Sequence, residues 1–277
     1  MTKAAIAILS AAALSAPACN HDPHGTGRPP PSSHAAPMTE LALAMPIAPG
    51  KTEAWRHALE DLVGARYAEY DTSRRRFGLT SQTTFLQKTP MGDFALIHMT
   101  GPDVHQAFHQ MSASQDPWDV QWRQLTRDLH GVDFARGDRV FPRVELAFSM
   151  ESGSQSGARP FLFAAPLTRE GAARLRAVAA DLMGDRHAEY VEARSRIGVQ
   201  REAVFLERAA MGDVAVFYWL AADPRASLDR MMESTAPLDA WLRELASAVH
   251  PVELDTLRRV AGANVLVAQY PKEGAAR

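Results

Sequence analysis

Apolar residues change their spacing several times along the chain, and each change marks an element. Leu41 to Ile47 is an apolar run of strand length. Trp55, Leu59, Leu62, Val63 and Tyr70 then recur at helical spacing as one stripe, and Gly78 supplies a stop. Thr83 to Lys88 and Phe94 to Met99 predict two strands joined across Pro90, Met91, Gly92 and Asp93, with glycine where a tight connection needs it. A short helix over Val104 to Met111 follows. A longer helix opens at Pro117, whose missing N–H costs nothing in a first turn, and closes at His130 and Gly131. Val144 to Met150 is the last strand of the series.

The same series begins again 120 positions later. Residues 41–149 align with 161–269 without a gap, with about 31 identities in 109 positions, far above chance. Asp61, Leu62, Gly64, Arg66, Ala68, Glu69 and Tyr70 reappear as Asp181, Leu182, Gly184, Arg186, Ala188, Glu189 and Tyr190. Each copy has the order β-α-β-β-α-β, the split βαβ arrangement, and Val265 to Tyr270 closes the second. In the third strand Phe94, Leu96 and His98 oppose Ala95, Ile97 and Met99. Both matching sets in the second copy, Val214, Val216, Tyr218 and Ala215, Phe217, Trp219, are apolar or aromatic. Both sheet faces therefore need cover, and helices in this order reach only one. The other face packs on the sister sheet. The expected fold class is α+β: two tandem ferredoxin-like βαββαβ repeats forming an intramolecular dimeric α+β barrel.

The chain resembles the dimeric α+β barrel superfamily, which includes the antibiotic-biosynthesis-type monooxygenases. The more specific phrases are Arg196 to Glu202, Met211-Gly212-Asp213, and Ser-x-x-Pro-x-Asp at 114–119 and 234–239; they look like a bacterial family of such domains. The resemblance covers both repeats and implies the fold, with cofactor-independent oxygen chemistry as one activity found on it; one fold hosts many functions.

Composition sets the surroundings. Thirty basic and 32 acidic residues give a net charge of −2, so no field draws nucleic acid. Residues 1–18 carry Lys3, an apolar run and small residues before Cys19, a signal-peptide layout. Cys19 is the chain's one cysteine, and its place at the junction resembles a lipoprotein signal, in which it would be lipidated and provide the membrane contact. Ala16 and Pro17 depart from that pattern, leaving plain secretion open. Residues 19–38, rich in Pro, Ser, Gly and His, form a tether without core-forming residues. Residues 39–150 and 160–271 are the two repeats, 151–159 a Ser/Gly linker and 272–277 a tail. The expected location is exported, periplasmic or membrane-anchored, and a true start at Met38 would make the protein cytoplasmic instead.

The candidate ligand-binding residues are Arg66, Glu69, Tyr70, Arg186, Glu189 and Tyr190. On a continuous helix Arg66 falls within the apolar stripe, and a guanidinium there needs a partner or an anionic ligand. Arg74, Arg76, Arg194 and Arg196 read as helix-end cations favoured by the macrodipole. His130 and His250 close equivalent helices as caps or weaker catalytic candidates. His98 and Tyr218, with Met99 and Trp219, differ between copies on the interior strand, which makes His98, Tyr218 and Trp219 candidates too. His105 and His109 are four residues apart on a helix, but the second copy has Arg225 and Asp229 there; no metal or cofactor site is predicted. Phosphate loops and nucleophile elbows are absent. The sequence thus points to an exported barrel binding a small aromatic or carboxylate molecule, as a monomer folded like a dimer. The alternatives are a cofactor-independent monooxygenase or related oxidoreductase, and a surface-anchored scaffold.

Overall fold

The computed structural model describes residues 39–134, 142–209 and 212–272. The export-type segment, Cys19, the tether and most of the tail lie outside the described residues. Among the described residues no helix is long and apolar enough to cross a membrane.

In the first half, β1 (Glu40–Pro46) leads to α1 (Thr52–Val63) and α2 (Tyr67–Arg76), the hairpin β2 (Ser81–Thr89) and β3 (Gly92–Thr100), then α3 (Val104–Ala113), α4 (Pro117–His130) and β4 (Arg143–Glu151). The second half repeats this as β5 (Arg159–Pro166), α5 (Gly171–Met183), α6 (His187–Ile197), β6 (Val199–Ala209), β7 (Gly212–Ala221), α7 (Pro224–Glu233) and α8 (Pro237–Val249). An added helix, α9 (Leu254–Gly262), precedes β8 (Val265–Tyr270). The Thr89–Gly92 pair makes the β2–β3 loop two residues, Pro90 and Met91, with Gly92 at φ 130°. A side chain at that φ would be strained.

The single helix expected from Trp55 to Gly78 is two helices. Gly64 breaks it at φ −105°, ψ −106°, and Gly184 repeats the break at φ −98°, ψ −114°. A Cβ on Gly64 would lie 2.8 Å from the Glu60 carbonyl oxygen, so only glycine fits. The break resets the helical phase. Arg66 becomes the residue before α2 rather than a member of the buried stripe, while Tyr70, Ser73 and Arg74 turn inward.

The sheets have the orders β1-β3-β2-β8 and β4-β6-β7-β5. Each half therefore supplies its last strand to the other: β8 pairs with β2, and β4 with β6, all antiparallel. The inner faces meet through small and apolar side chains, Ala42, Ala44 and Leu96 against Leu162, Ala164 and Val216. The alternate residues Leu41, Leu43 and Met45 pack outward under Trp55 and Leu59 of α1. This is an intramolecular dimeric α+β barrel, with helices outside and sheet on sheet within.

Candidate functional site

His98 and Tyr218 occupy matching positions in β3 and β7 and meet face to face across the barrel, ring centroids 3.7 Å apart and 9° from parallel. Glu40 accepts from His98 Nε2 at 2.6 Å and from Arg201 at 2.5 Å, and Arg201 lies over the Tyr218 ring. Burial depresses the His98 pKa and keeps the ring neutral. Burial alone would raise the Glu40 pKa, but its bonds to His98 and Arg201 bring it down to about 2. None of the four residues lines the helix-side cavities described next. The divergence noticed in the sequence therefore builds an asymmetric polar contact between the sheets.

On the other side of each sheet, under the helices, each half has a cavity lined mainly by apolar residues. The first half holds a cavity of about 100 Å³ and the second one of about 120 Å³. Leu59, Ile97, Met99, Phe108 and Trp122 give the first its apolar wall, and Arg74, Gln82, Thr84 and His130 its polar points. This composition, mainly apolar with a few convergent polar groups, is that of a small-molecule site.

His130 and His250 line these cavities in matching positions. Their Nδ1 atoms lie 2.9 Å and 2.7 Å from the carbonyl oxygens of Pro46 and Pro166, which fixes the proton on Nδ1. Nε2 is left with its lone pair. Burial lowers both pKa values, so both rings are neutral bases. Trp219 also lines the second cavity, where its indole N–H is used within the chain.

Of the predicted ligand-binding residues, Arg66 pairs with Glu69 at 2.7 Å and Arg186 with Glu189 at 2.9 Å, in each case on the surface. Neither pair lines a cavity. Tyr70 and Tyr190 are buried, and Tyr190 lines the second cavity. The guanidiniums they accompany are those of Arg74 and Arg194, 4.9 Å and 4.6 Å from the respective rings. Arg74 and Arg194, expected from the sequence to be helix-end cations favoured by the macrodipole, are 2% and 4% exposed. The repeated Ser-x-x-Pro-x-Asp phrase is a turn lock: Ser114 and Ser234 donate to Asp119 and Asp239, which also accept from Arg76 and Arg196. His105 and His109 sit with ring centroids 4.8 Å apart at the first cavity. Among the described residues no three His, Cys, Asp or Glu side chains converge to hold a metal.

No protein-family model matches the chain. No curated protein matches it. Distant likenesses are found among solved structures. A candidate monooxygenase from Fusobacterium nucleatum is 9% identical over 78% of this chain and 88% of its own, with a TM-score of 0.45. An anthrone oxidase-like protein is 14% identical over 88% and 98%, at 0.41. A candidate monooxygenase from Lactobacillus acidophilus is 9% identical over 78% and 90%, at 0.37. Likenesses this distant leave the chemistry to be read from the chain's own residues.

Proposed function

We propose that the protein binds a small, mainly apolar or aromatic molecule in the cavity between helices and sheet of its first half. The observation that carries this is the cavity itself, an apolar chamber into which Arg74, Thr84 and His130 bring separate polar groups. At about 100 Å³ it is smaller than the dry cavity of about 150 Å³ that takes up benzene, so a single ring or a branched chain is the upper limit of what it holds. Met99→Trp copies Trp219 of the second half and adds the bulk of an indole to the lining, which narrows the space. A thermal-shift screen of small aromatic and aliphatic compounds should give hits that raise Tm for the natural protein and fail with that variant. Hits of equal size in both proteins, or none in either, would overturn the proposal.

A second reading, cofactor-independent oxidation of the bound molecule, is favoured by His130. Its tautomer is fixed with the basic nitrogen free, and burial keeps it neutral at pH 7. Such a base takes the acidic proton of a ring CH2, and the carbanion reduces dioxygen directly, so that CH2 and O2 give C=O and H2O. Oxygen uptake with enolisable aromatic ketones, lost in His130→Gln, is the expected result; uptake unchanged in that variant would remove the role. Lipid anchoring at Cys19 belongs to the proposal as well, and mass spectrometry of the native N-terminus tests it: an N-terminus at Met38 excludes it.

A further inference from the structure

The 120-residue offset gives most side chains of the first cavity a counterpart in the second, Arg74 with Arg194, Gln82 with Glu202 and Met99 with Trp219 among them. In the second half, Glu202 places a carboxylate inside the fold, 2% exposed. Its Oε2 accepts from Arg194 Nε at 2.6 Å and from the Tyr190 hydroxyl at 2.6 Å, and its Oε1 from the Trp219 indole at 2.9 Å. The guanidinium is thus neutralised by the chain's own acid.

The first half keeps the cation and lacks the acid. Arg74 stands for Arg194 and Tyr70 for Tyr190, but Gln82 replaces Glu202, Met99 replaces Trp219 and Thr84 replaces Val204. Arg74 is 2% exposed. Nη1 donates to Gln82 Oε1 at 3.0 Å and Nη2 to Ser73 Oγ at 3.3 Å, both neutral groups. Among the described residues no carboxylate lies within ion-pair distance of it. Asp119, a carboxylate that acts on it electrostatically, is bonded to Arg76, Ser73 and Ser114. Two buried polar atoms here have no partner, Arg74 Nε and Thr84 Oγ1, and both residues line the first cavity. The Nε that lacks a partner is the atom that binds Glu202 in the other half.

A buried guanidinium stays charged, and a buried donor without an acceptor is costly. We infer that the first-half cavity takes a small organic monocarboxylate, whose carboxylate occupies the place that Glu202 fills in the second half. It accepts from Arg74 Nε and from the Thr84 hydroxyl, while the ring or branched chain of the ligand lies against Met99, in the volume where the second half has an indole. The second cavity, supplied with its own carboxylate, excludes such ligands. This assignment rests on the proposed binding site and adds the charge class of its occupant.

The full-length protein is titrated with benzoate, its neutral isostere benzamide and toluene. Calorimetry measures affinity, and the Met99 methyl resonance of 13C-methyl-methionine-labelled protein shows whether the cavity is the place occupied. Benzoate should bind at least ~10-fold more tightly than benzamide, the worth of a charge-assisted hydrogen bond. Gln82→Glu, which restores the carboxylate of the second half, should raise Tm and reduce benzoate affinity at least ~10-fold while leaving benzamide within ~3-fold. Thr84→Val, also the residue of the second half, should weaken benzoate and spare toluene. Equal affinity for benzoate and benzamide, or benzoate binding that ignores both substitutions or leaves the Met99 methyl unmoved, overturns the carboxylate assignment while the apolar site stands. Uptake of none of the three compounds overturns the binding site, and this assignment with it.

Discussion

At the scale of single residues, the halves share a structural device that they execute differently. Position 87 and its counterpart 207 point into the barrel at an edge strand of the opposite sheet. Gln87 satisfies both backbone groups of Ala164, donating to its oxygen and accepting from its nitrogen at 2.9 Å each. Glu207 accepts from the Ala44 nitrogen at 2.6 Å. Burial raises the Glu207 pKa from 4.5 to about 7, with that one backbone bond opposing. A carboxyl with a raised folded-state pKa holds its proton more tightly when folded. Its contribution is full below pH 4.5 and is lost as pH rises to 7, a fall of about 3 kcal/mol. Glu40, lowered to about 2, has the opposite sign and acts only below pH 4.5. Glu207→Gln should therefore match the natural protein near pH 5 and exceed it by pH 8, in urea unfolding at a series of pH values. A constant difference across that range would show that Glu207 does not titrate as described. The candidate site was only partly legible at this scale. The recurrence of Arg74 as Arg194 was visible, and so was Gln82 opposite Glu202. A helical wheel that runs unbroken through Gly64, however, assigns burial to Arg66 instead, and the break at Gly64 is what turns Arg74 inward. The signal for the unmatched cation is the charge-changing pair Gln82 and Glu202 beside the unchanged Arg74 and Arg194.

At the scale of elements, alternation and turn chemistry place the strands of the first half within a residue or two, because period-2 burial on a two-faced sheet leaves little freedom of register. What the pattern did not contain was the bend after α1. Glycine repeated at 64 and 184 is compatible with a helix interior on propensity alone; only the ψ values near −110° and the crowded Glu60 carbonyl reveal its purpose. Gly64→Ala brings a Cβ within 2.8 Å of that oxygen and should cost about 1–3 kcal/mol. In a body of this size that is a Tm loss of roughly 2–4 °C per kcal/mol. Gly262→Ala, at the end of α9 with nothing within 4 Å of the added Cβ, is the matched control and should leave Tm unchanged or raised. Equal Tm in the two variants would show that the bend tolerates a side chain. The same bend places α2 so that Arg74 reaches the cavity, so Gly64→Ala should also weaken benzoate binding more than Gly262→Ala does.

At the scale of the whole molecule, duplication without a gap foretold two equal units and sheet-on-sheet packing, because two-faced apolar strands require both. It did not foretell the exchange of last strands, since β4 and β8 have the same pattern whichever sheet they join. That exchange decides how the halves depend on each other. Without the second half, residues 39–150 would present β2 with no partner along the edge that β8 occupies, and β4 with no β6. The inner face, with Ala42, Ala44, Phe85 and Leu96 all buried in the intact barrel, would be bare. The economical solution for an isolated half is a second copy of itself, with each β4 added to the other's β2, which rebuilds the barrel from two chains with a two-fold axis. Expressed alone, residues 39–150 should therefore run as a homodimer by light scattering, with a Tm that rises with concentration. The intact chain, already carrying both halves, should be monomeric with a Tm independent of concentration. A half that unfolds cooperatively as a stable monomer would mean that β4 folds back onto its own sheet and that the exchange is dispensable. If the homodimer forms, both of its cavities carry Arg74, Gln82 and Thr84 and neither carries Glu202. Such a dimer should then bind two benzoates where the natural barrel binds one, and the stoichiometry would show that the divergence of the halves, rather than their shared fold, sets where the ligand goes.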